Sequence, residues 1–189
     1  AETNSPPSSV LRDDTTLGYR PIMLGASPRK LLPNERMWEL PKIISWIDEA
    51  KDTVRLEIPE LKPTYRDGQP FPELYEALVR AARRGVRVSL LTSTWSENDT
   101  VLKDLARLPG VAVKVMKIPP WSGGDVPFGR LLHAKYMIVD GVRAWLGTSN
   151  WEGDYFYRSR NVSVFVDDPA FAKQLASVWT SAFRSNYAQ

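Results

Sequence analysis

The chain has 189 residues, of which 43% are hydrophobic and 25% are charged, and it contains no cysteine and one histidine, His133. A chain of this length buries enough surface to fold around one ordinary core, without disulfides or a structural metal. The cysteine and histidine counts exclude zinc fingers, iron–sulfur clusters, thiol nucleophiles and multi-histidine metal cages, while the net charge of +3 permits an anionic substrate without demanding one.

Residues 1–20 differ in composition from the rest of the chain. They begin with a polar stretch rich in proline and serine, and they lack the basic and apolar regions of a signal peptide. We expect a linker or a processed N-terminal segment there, followed by one domain over residues 21–189. No apolar run approaches the ~20 residues needed to span a bilayer, so we expect a soluble protein. Secreted, periplasmic and lysosomal locations are all compatible with a processed chain.

Hydrophobic spacing predicts helices and strands in succession from about Ile22 onward. The predicted elements are a helix with Ile43, Ile44, Ile47 and Ala50 inward, a strand over 54–58, a helix with Leu74, Leu78, Ala81 and Ala82 inward, a strand over 86–91, a short helix over 101–108, strands over 111–115, 131–139, 142–146 and 162–166, and a final helix capped by Asp168 with Phe171, Leu175, Val178, Trp179 and Ala182 inward. This succession predicts an α/β fold with a mixed β-sheet flanked by helices on both faces.

The predicted strand over 131–139 carries the single histidine. Side chains alternate along a strand, so His133 and Lys135 are expected on the same side, about 6.6 Å apart along the chain. An imidazole and an ammonium at that spacing can converge on one tetrahedral anion such as phosphate. After a turn at Asp140-Gly141 the chain returns to Gly147-Thr148-Ser149-Asn150, whose small polar groups can donate hydrogen bonds to phosphate oxygens.

The spacing His133-x-Lys135-x4-Asp140-x6-Gly147-Thr148-x-Asn150 resembles the HKD motif of the phospholipase D superfamily. Each fixed residue type occurs about once in twenty positions, so a chance match in a chain of this length is rare. The alternative is structural, because a lone histidine among leucine, alanine and tyrosine is usually packed in a core. The downstream Gly-Thr-x-Asn favours the motif over that alternative.

The resemblance implies a mechanism and a set of roles. In this superfamily two HKD motifs face each other, one histidine attacks phosphorus to form a phosphohistidine, the other protonates the leaving oxygen, and most members need no metal or other cofactor. His133 would then be the nucleophile or the general acid, Lys135 and Asn150 would bind phosphate oxygens, and Asp140 would help to order the motif. The residue types suit this chemistry, since an imidazole can attack or donate a proton near neutral pH.

One motif is half of such a site, so the resemblance also implies a partner. Residues 22–183, and the run from Gly147 to Phe156 in particular, look like the C-terminal half of the tandem proteins that include the animal lysosomal 5′ exonucleases. Single-motif nucleases usually carry a glutamate where this chain has Ser159-Arg160-Asn161, and the nearest acids are Glu152 and Asp154. We therefore favour pairing with a second HKD-containing half, on a separate chain or a cleaved N-terminal half, over a homodimer.

Aromatic residues near the motif indicate the substrate less directly than the motif indicates the reaction. Trp95, Trp121 and Trp151 follow predicted strands, where α/β sheets place ligands, and Tyr155 lies close to the motif. We expect substrate contacts from Thr148, Ser149, Trp151, Tyr155 and Trp121, with core packing as the alternative for each ring. The prediction is a phosphodiesterase acting as a nuclease on single-stranded nucleic acid ends. The alternatives are a phospholipase D or phosphatidyl transferase acting on phospholipids, and a non-catalytic binding half.

Overall fold

A computed structural model describes residues 22–97, 99–124, 126 and 129–189, and within them seven strands form one sheet. The strands are β1 (Ile22–Ser27), β2 (Thr53–Glu57), β3 (Arg87–Ser93), β4 (Val111–Met116), β5 (Tyr136–Val139), β6 (Arg143–Gly147) and β7 (Asn161–Asp167). The α-helices are α1 (Glu39–Glu49), α2 (Glu73–Arg83), α3 (Thr100–Ala106), α4 (Gly153–Tyr157) and α5 (Pro169–Phe183).

The strand order is β1-β7-β6-β5-β2-β3-β4. Strands β2, β3 and β4 pair in parallel and the other neighbours pair antiparallel, so the sheet is mixed as predicted. Side chains from β5 divide between two hydrophobic clusters: Met137 and Val139 pack in the cluster of α1, α2 and α3, while Tyr136 and Ile138 pack with α5. Helices therefore cover both faces, and the predicted fold class is confirmed.

The structure contains the helix cap and the tight turn that the sequence predicts at Asp168 and at Asp140-Gly141. The Asp168 side chain accepts hydrogen bonds from the backbone N–H groups of Ala170 and Phe171, which caps α5. Asp140 and Gly141 have φ angles of 53° and 68°, and both values suit the tight turn that joins β5 to β6.

On α5, one predicted inward position is wrong, because Val178 is 58% exposed. The buried side chains of that helix are Ala172 and Trp179.

The predicted strand over 131–139 is too long, because β5 begins only at Tyr136. Tyr136, the first residue of β5, pairs with Glu57, the last residue of β2, and with Leu146 on β6. Residues 131–134 have no neighbouring strand to complete their backbone hydrogen bonds, and they form an irregular segment. His133 and Lys135 therefore precede the strand instead of alternating along it.

Two further elements have no counterpart among the predicted ones. Strand β1 pairs antiparallel with β7 at the edge of the sheet, and α4 is a single short helix directly after the motif loop. The predicted segment 1–20 lies outside the described residues, and the boundary at residue 21 stays a prediction. Among the helices that the structure describes, none has the combination of length and apolar character that crossing a membrane requires.

Candidate active site

The motif residues other than Asp140 gather at one end of the sheet. Strands β5 and β6 are antiparallel, so the chain enters β5 and leaves β6 at the same end, where the Gly147 N–H donates to the Lys135 carbonyl over 3.0 Å. Strands β2 and β3 also finish at this end. A short 3₁₀ turn that follows β3, Thr94–Ser96, carries Trp95. This end of the sheet thus carries His133, Lys135, Trp95 and the segment 148–150.

His133 is exposed, and its imidazole contacts the ring of Trp95. The two ring centroids are 6.3 Å apart with an interplanar angle of 78°, an edge-to-face arrangement. Partial burial lowers the pKa of His133 below its usual 6.5, and the positive charge of Lys135 lowers it further. Both effects favour the neutral imidazole near neutral pH, which is the form that can act as a nucleophile.

Lys135 is partly buried and faces no acidic partner in the part of the chain that the structure describes. Its Nζ donates to the His133 carbonyl oxygen over 2.9 Å, which holds the ammonium beside the histidine. Burial lowers the pKa of Lys135 below its ordinary value of 10.5. An ammonium without a carboxylate is free to bind an anion, and this one lies next to the imidazole.

Asn150 is buried, with 3% of its surface exposed. Its Nδ2 donates to the Tyr155 hydroxyl over 3.2 Å, and its Oδ1 has no hydrogen-bond partner among the described residues. The Tyr155 ring lies under the guanidinium of Arg66, 5.6 Å from its centroid. Tyr155 therefore contacts a motif residue, and its contact with substrate stays a prediction.

Two of the predicted substrate contacts face the protein interior. The Ser149 hydroxyl donates to Glu39 Oε1 over 2.6 Å, and both side chains are fully buried. Trp151 is also fully buried and packs against Trp145, with 6.2 Å between ring centroids. The Trp151 backbone forms an isolated bridge with Leu61 that draws the indole into the core. Both side chains thus have interior partners, and contact of Ser149 and Trp151 with substrate stays a prediction.

Thr148 and Trp121 are exposed, but their observed contacts lie elsewhere. Thr148 Oγ1 donates to Asn161 Oδ1 over 2.9 Å and accepts from the Val162 N–H, so it ties the motif loop to β7. Trp121 is 55% exposed, and its ring lies against Gly123. Within the described residues neither side chain contacts His133, and their roles in substrate binding stay predictions.

Asp140 lies at the opposite end of β5 from His133. Its carboxylate accepts three hydrogen bonds of 2.9 Å from the backbone N–H groups of Lys51, Asp52 and Thr53. Burial opposes ionisation, but those three N–H groups and the charge of Arg143 outweigh it, so the pKa of Asp140 is lowered below 3.8. This geometry makes Asp140 a positioning residue that fixes β5 against the start of β2.

The acids nearest the motif in sequence do not orient the histidine. Glu152 Oε1 lies 3.3 Å from Arg66 Nε, and burial raises the pKa of Glu152 although nearby lysine and arginine charges oppose the shift. Asp154 accepts from the Arg66 N–H over 2.7 Å and also pairs with Arg158. Of the carboxylates in the described ranges, none forms a hydrogen bond with His133.

Sequence reasoning missed the contacts of three residues near the site. The sequence places Trp95 in a loop after a strand, but it does not predict the contact between the Trp95 ring and His133. Glu39 is distant from the motif in sequence, and no local pattern predicts its bond to Ser149. Glu57 lies opposite Tyr136 and accepts a hydrogen bond from its hydroxyl, and burial raises the pKa of Glu57. Only the strand pairing reveals that contact.

Comparison with known proteins gives one family match and a consistent fold. Residues 43–182 match the family described as cardiolipin synthase, PLD-like domain. The structure superposes on NucT from Helicobacter pylori with a TM-score of 0.70 and 22% identity, covering 87% of this chain and 98% of that one. For Nuc from Salmonella typhimurium, a phospholipase D family member, the TM-score is 0.62 with 19% identity, covering 90% and 97% of the two chains.

Curated sequences extend the comparison. The 5′-3′ exonuclease PLD3 of Xenopus laevis is 32% identical over 188 residues, which cover 88% of this chain and 38% of that protein. A probable phospholipase D of Caenorhabditis elegans is 28% identical over 186 residues, which cover 88% of this chain and 33% of that protein. The chain thus spans little more than a third of the length of these relatives.

Proposed function

Because the chain belongs to the phospholipase D-like family, we propose that it contributes one histidine to a phosphodiesterase and that His133 forms a phosphohistidine. The observation that supports this most strongly is the pairing of His133 with Lys135 at the end of the sheet. His133 is exposed and favoured in its neutral form, while Lys135 supplies a positive charge that no described carboxylate neutralises. A nucleophile and an anion-binding group are thus adjacent.

The proposed reaction has two steps. The imidazole nitrogen of His133 attacks phosphorus and forms a P–N bond, the P–O bond to the leaving group breaks, and the leaving oxygen takes a proton from a second histidine. Water then attacks phosphorus and gives a proton to the second histidine, which the first step left neutral; a P–O bond forms, the P–N bond breaks and His133 is released. Lys135 and Asn150 would stabilise the charge that spreads over the non-bridging oxygens in both steps.

The second histidine must come from outside this chain, because His133 is the only histidine in its sequence. We infer that a second HKD-containing half faces His133, and we favour a different half over a second copy. The supporting observations are that no described carboxylate orients His133 and that the chain matches about a third of its curated relatives. The partner half would supply both the general acid and the orienting carboxylate.

For the substrate we propose the end of a single-stranded nucleic acid. Trp95 is 45% exposed beside His133, so a base next to the attacked phosphate can stack on its indole. The relative that is 32% identical carries the name 5′-3′ exonuclease, which favours a nucleic acid. Other relatives are named phospholipase D, so a phospholipid is the second candidate.

One experiment separates these possibilities. An assembly with both halves is incubated with end-labelled single-stranded DNA and, separately, with phosphatidylcholine liposomes. The His133→Ala variant and a matched control, Lys173→Ala on the exposed surface of α5, are tested in parallel. We expect DNA cleavage by the wild type and by Lys173→Ala, loss of cleavage in His133→Ala, and covalent label on this chain after rapid acid-free denaturation. Cleavage of the liposomes alone would show that the protein is a phospholipase. If neither substrate is cleaved, the proposed phosphodiesterase activity is refuted.

Sizing the purified chain in solution tests the assembly. We expect the chain alone to be inactive and to gain activity only when a second half is added. A stable and active homodimer of this chain would show that the second histidine comes from another copy.

A further inference from the structure

A second group of positive side chains lies at the opposite end of the sheet from His133. Arg55 on β2 and Arg87 on β3 point to the face covered by α5, and Arg184 directly follows that helix. Together they line a pocket of ≈ 260 Å³. The neighbouring residues on these strands, Val54 and Val88, are buried in the core on the other face, which fixes the orientation of the arginines.

Strand pairing holds two of these arginines close together. Arg87 lies opposite Thr53, and Arg55 is two residues further along β2, opposite Ser89. Diagonal neighbours of this kind have Cα atoms about 8 Å apart, so two like charges share one small surface. Arg55 is further restrained by the Trp179 indole, with its guanidinium carbon 5.8 Å from the ring centroid. Both guanidinium groups therefore lie on the same face of the sheet and line one small pocket.

The described residues supply no counter-charge to this pocket. Arg55, Arg87 and Arg184 form no ion pair within the described part of the chain, and no acidic side chain lines the pocket there. The nearby carboxylate of Asp140 is occupied by backbone N–H groups at the start of β2. The side chains of Thr53 and Ser89 form no hydrogen bond among the described residues. Three cations and two hydroxyl groups are thus available to one ligand.

We propose that this pocket binds a phosphate group, independently of the reaction at His133. Guanidinium groups and hydroxyls are the donors that suit a tetrahedral oxyanion, and bidentate arginine contacts are among the strongest of them. Along β2, the pocket residues Thr53 and Arg55 lie about 13 Å and 7 Å from Glu57, the residue at the end where the motif gathers, so the pocket and the motif are separate sites. The ligand is either free phosphate or a backbone phosphate of a nucleic acid strand, and two arms of one experiment distinguish them.

In the first arm, ¹⁵N-labelled protein is titrated with inorganic phosphate at constant ionic strength. Amide resonances of Thr53 and Ser89 report the pocket, and the imidazole resonance of the single histidine reports the catalytic site. We expect saturable shifts at Thr53 and Ser89. Arg87→Glu, and separately Arg184→Glu, should weaken that binding about tenfold or more, because each reversal removes a charge-assisted hydrogen bond. Arg36→Glu is the matched control, an exposed arginine that forms no ion pair with any described residue, and should leave binding unchanged.

In the second arm, the His133→Ala protein is titrated with a short single-stranded oligonucleotide. A loss of affinity in Arg87→Glu in this arm identifies a strand phosphate as the ligand, and a loss only in the first arm identifies free phosphate. Both arginines are exposed, so the variants should fold, and the dispersion of the amide spectrum checks this directly. Absence of saturable shifts at Thr53 and Ser89, or equal affinities in Arg87→Glu and Arg36→Glu in both arms, would overturn the proposal.

Discussion

Ser149 donates a hydrogen bond to the fully buried carboxylate of Glu39, with 2.6 Å between Oγ and Oε1. Glu39 is the first residue of α1, and Ser149 directly precedes Asn150. The bond therefore connects the first helix to the motif loop across more than half of the sequence. The other carboxylate oxygen of Glu39 has no partner among the described residues, so Ser149 is its principal stabilising contact.

Removal of this contact should destabilise the fold. Ser149→Ala leaves the buried carboxyl group of Glu39 without its donor, and an unsatisfied buried polar group costs about 1–3 kcal/mol. We expect a loss of about 2 kcal/mol in the free energy of unfolding, measured by urea denaturation. In a Glu39→Leu background the same serine substitution should cost less, because the Ser149 hydroxyl no longer has this partner to lose. Equal costs in the two backgrounds would show that the bond does not contribute to stability.

Asp140 should make stability depend on pH at the acid end. Its pKa is lowered in the folded protein, so its contribution is fully present above the unfolded value of 3.8 and is lost as the pH falls through the folded pKa. Asp140→Asn keeps a residue that tolerates the φ of 53°, but removes the charge that three N–H groups stabilise. We expect the variant to be less stable by about 2 kcal/mol at neutral pH.

Urea midpoints measured from neutral pH down to acid pH check this prediction. The difference between wild type and Asp140→Asn should shrink as the pH falls below 3.8, because the wild-type carboxylate then becomes protonated. A difference that stays constant with pH would mean that the three backbone bonds act through geometry alone. Arg107→Ala, which removes an exposed i,i+3 ion pair, serves as a control with little effect expected at any pH.

The sequence predicts those features of the candidate site that are formed by residues close together in the chain. The spacing from His133 to Asn150 predicted a compact phosphate-binding motif, and the Asp140-Gly141 turn that brings its two halves together has the φ angles such a turn requires. The period-two pattern of β5 also held from Tyr136 to Val139. These features depend on residues close together in the chain, which is why a single sequence contains them.

The features that sequence reasoning missed depend on contacts between distant segments. The sequence predicts Trp151 as a loop aromatic, yet a bridge to Leu61 turns it into the core. The sequence predicts Ser149 as a substrate contact, yet its hydroxyl faces Glu39. The predicted start of β5 is too early because a strand ends where its neighbours end, and the ends of β2 and β6 cannot be located from residues 131–135 alone.

Trp95 should contribute to binding of a single strand. Its indole is 45% exposed beside His133, and stacking of a base on an aromatic ring contributes about 1–3 kcal/mol. In the catalytically inactive His133→Ala protein paired with its second half, Trp95→Ala should weaken binding of a short single-stranded oligonucleotide by about tenfold, measured by fluorescence anisotropy. Tyr187→Ala is the matched control, because Tyr187 is an aromatic residue of similar exposure, 46%, that has no contact with His133 among the described residues. An equal loss in both variants would indicate nonspecific contacts with exposed rings.

The charge of Lys135 should contribute to the lowered pKa of His133. Because the chain has one histidine, a single imidazole resonance in the proton NMR spectrum follows its protonation without ambiguity. Burial and the Lys135 charge both lower the pKa of His133 below 6.5, so the wild-type midpoint should lie below that value. Lys135→Met removes the like charge while keeping the apolar stem, so the midpoint should rise, although burial, the larger cause, should still hold it below 6.5. Lys135→Arg keeps the charge and should leave the midpoint close to that of the wild type. If the methionine and arginine variants titrate alike, the ammonium does not act on the imidazole electrostatically, and the proposed nucleophile would lack the neighbouring charge that favours its neutral form.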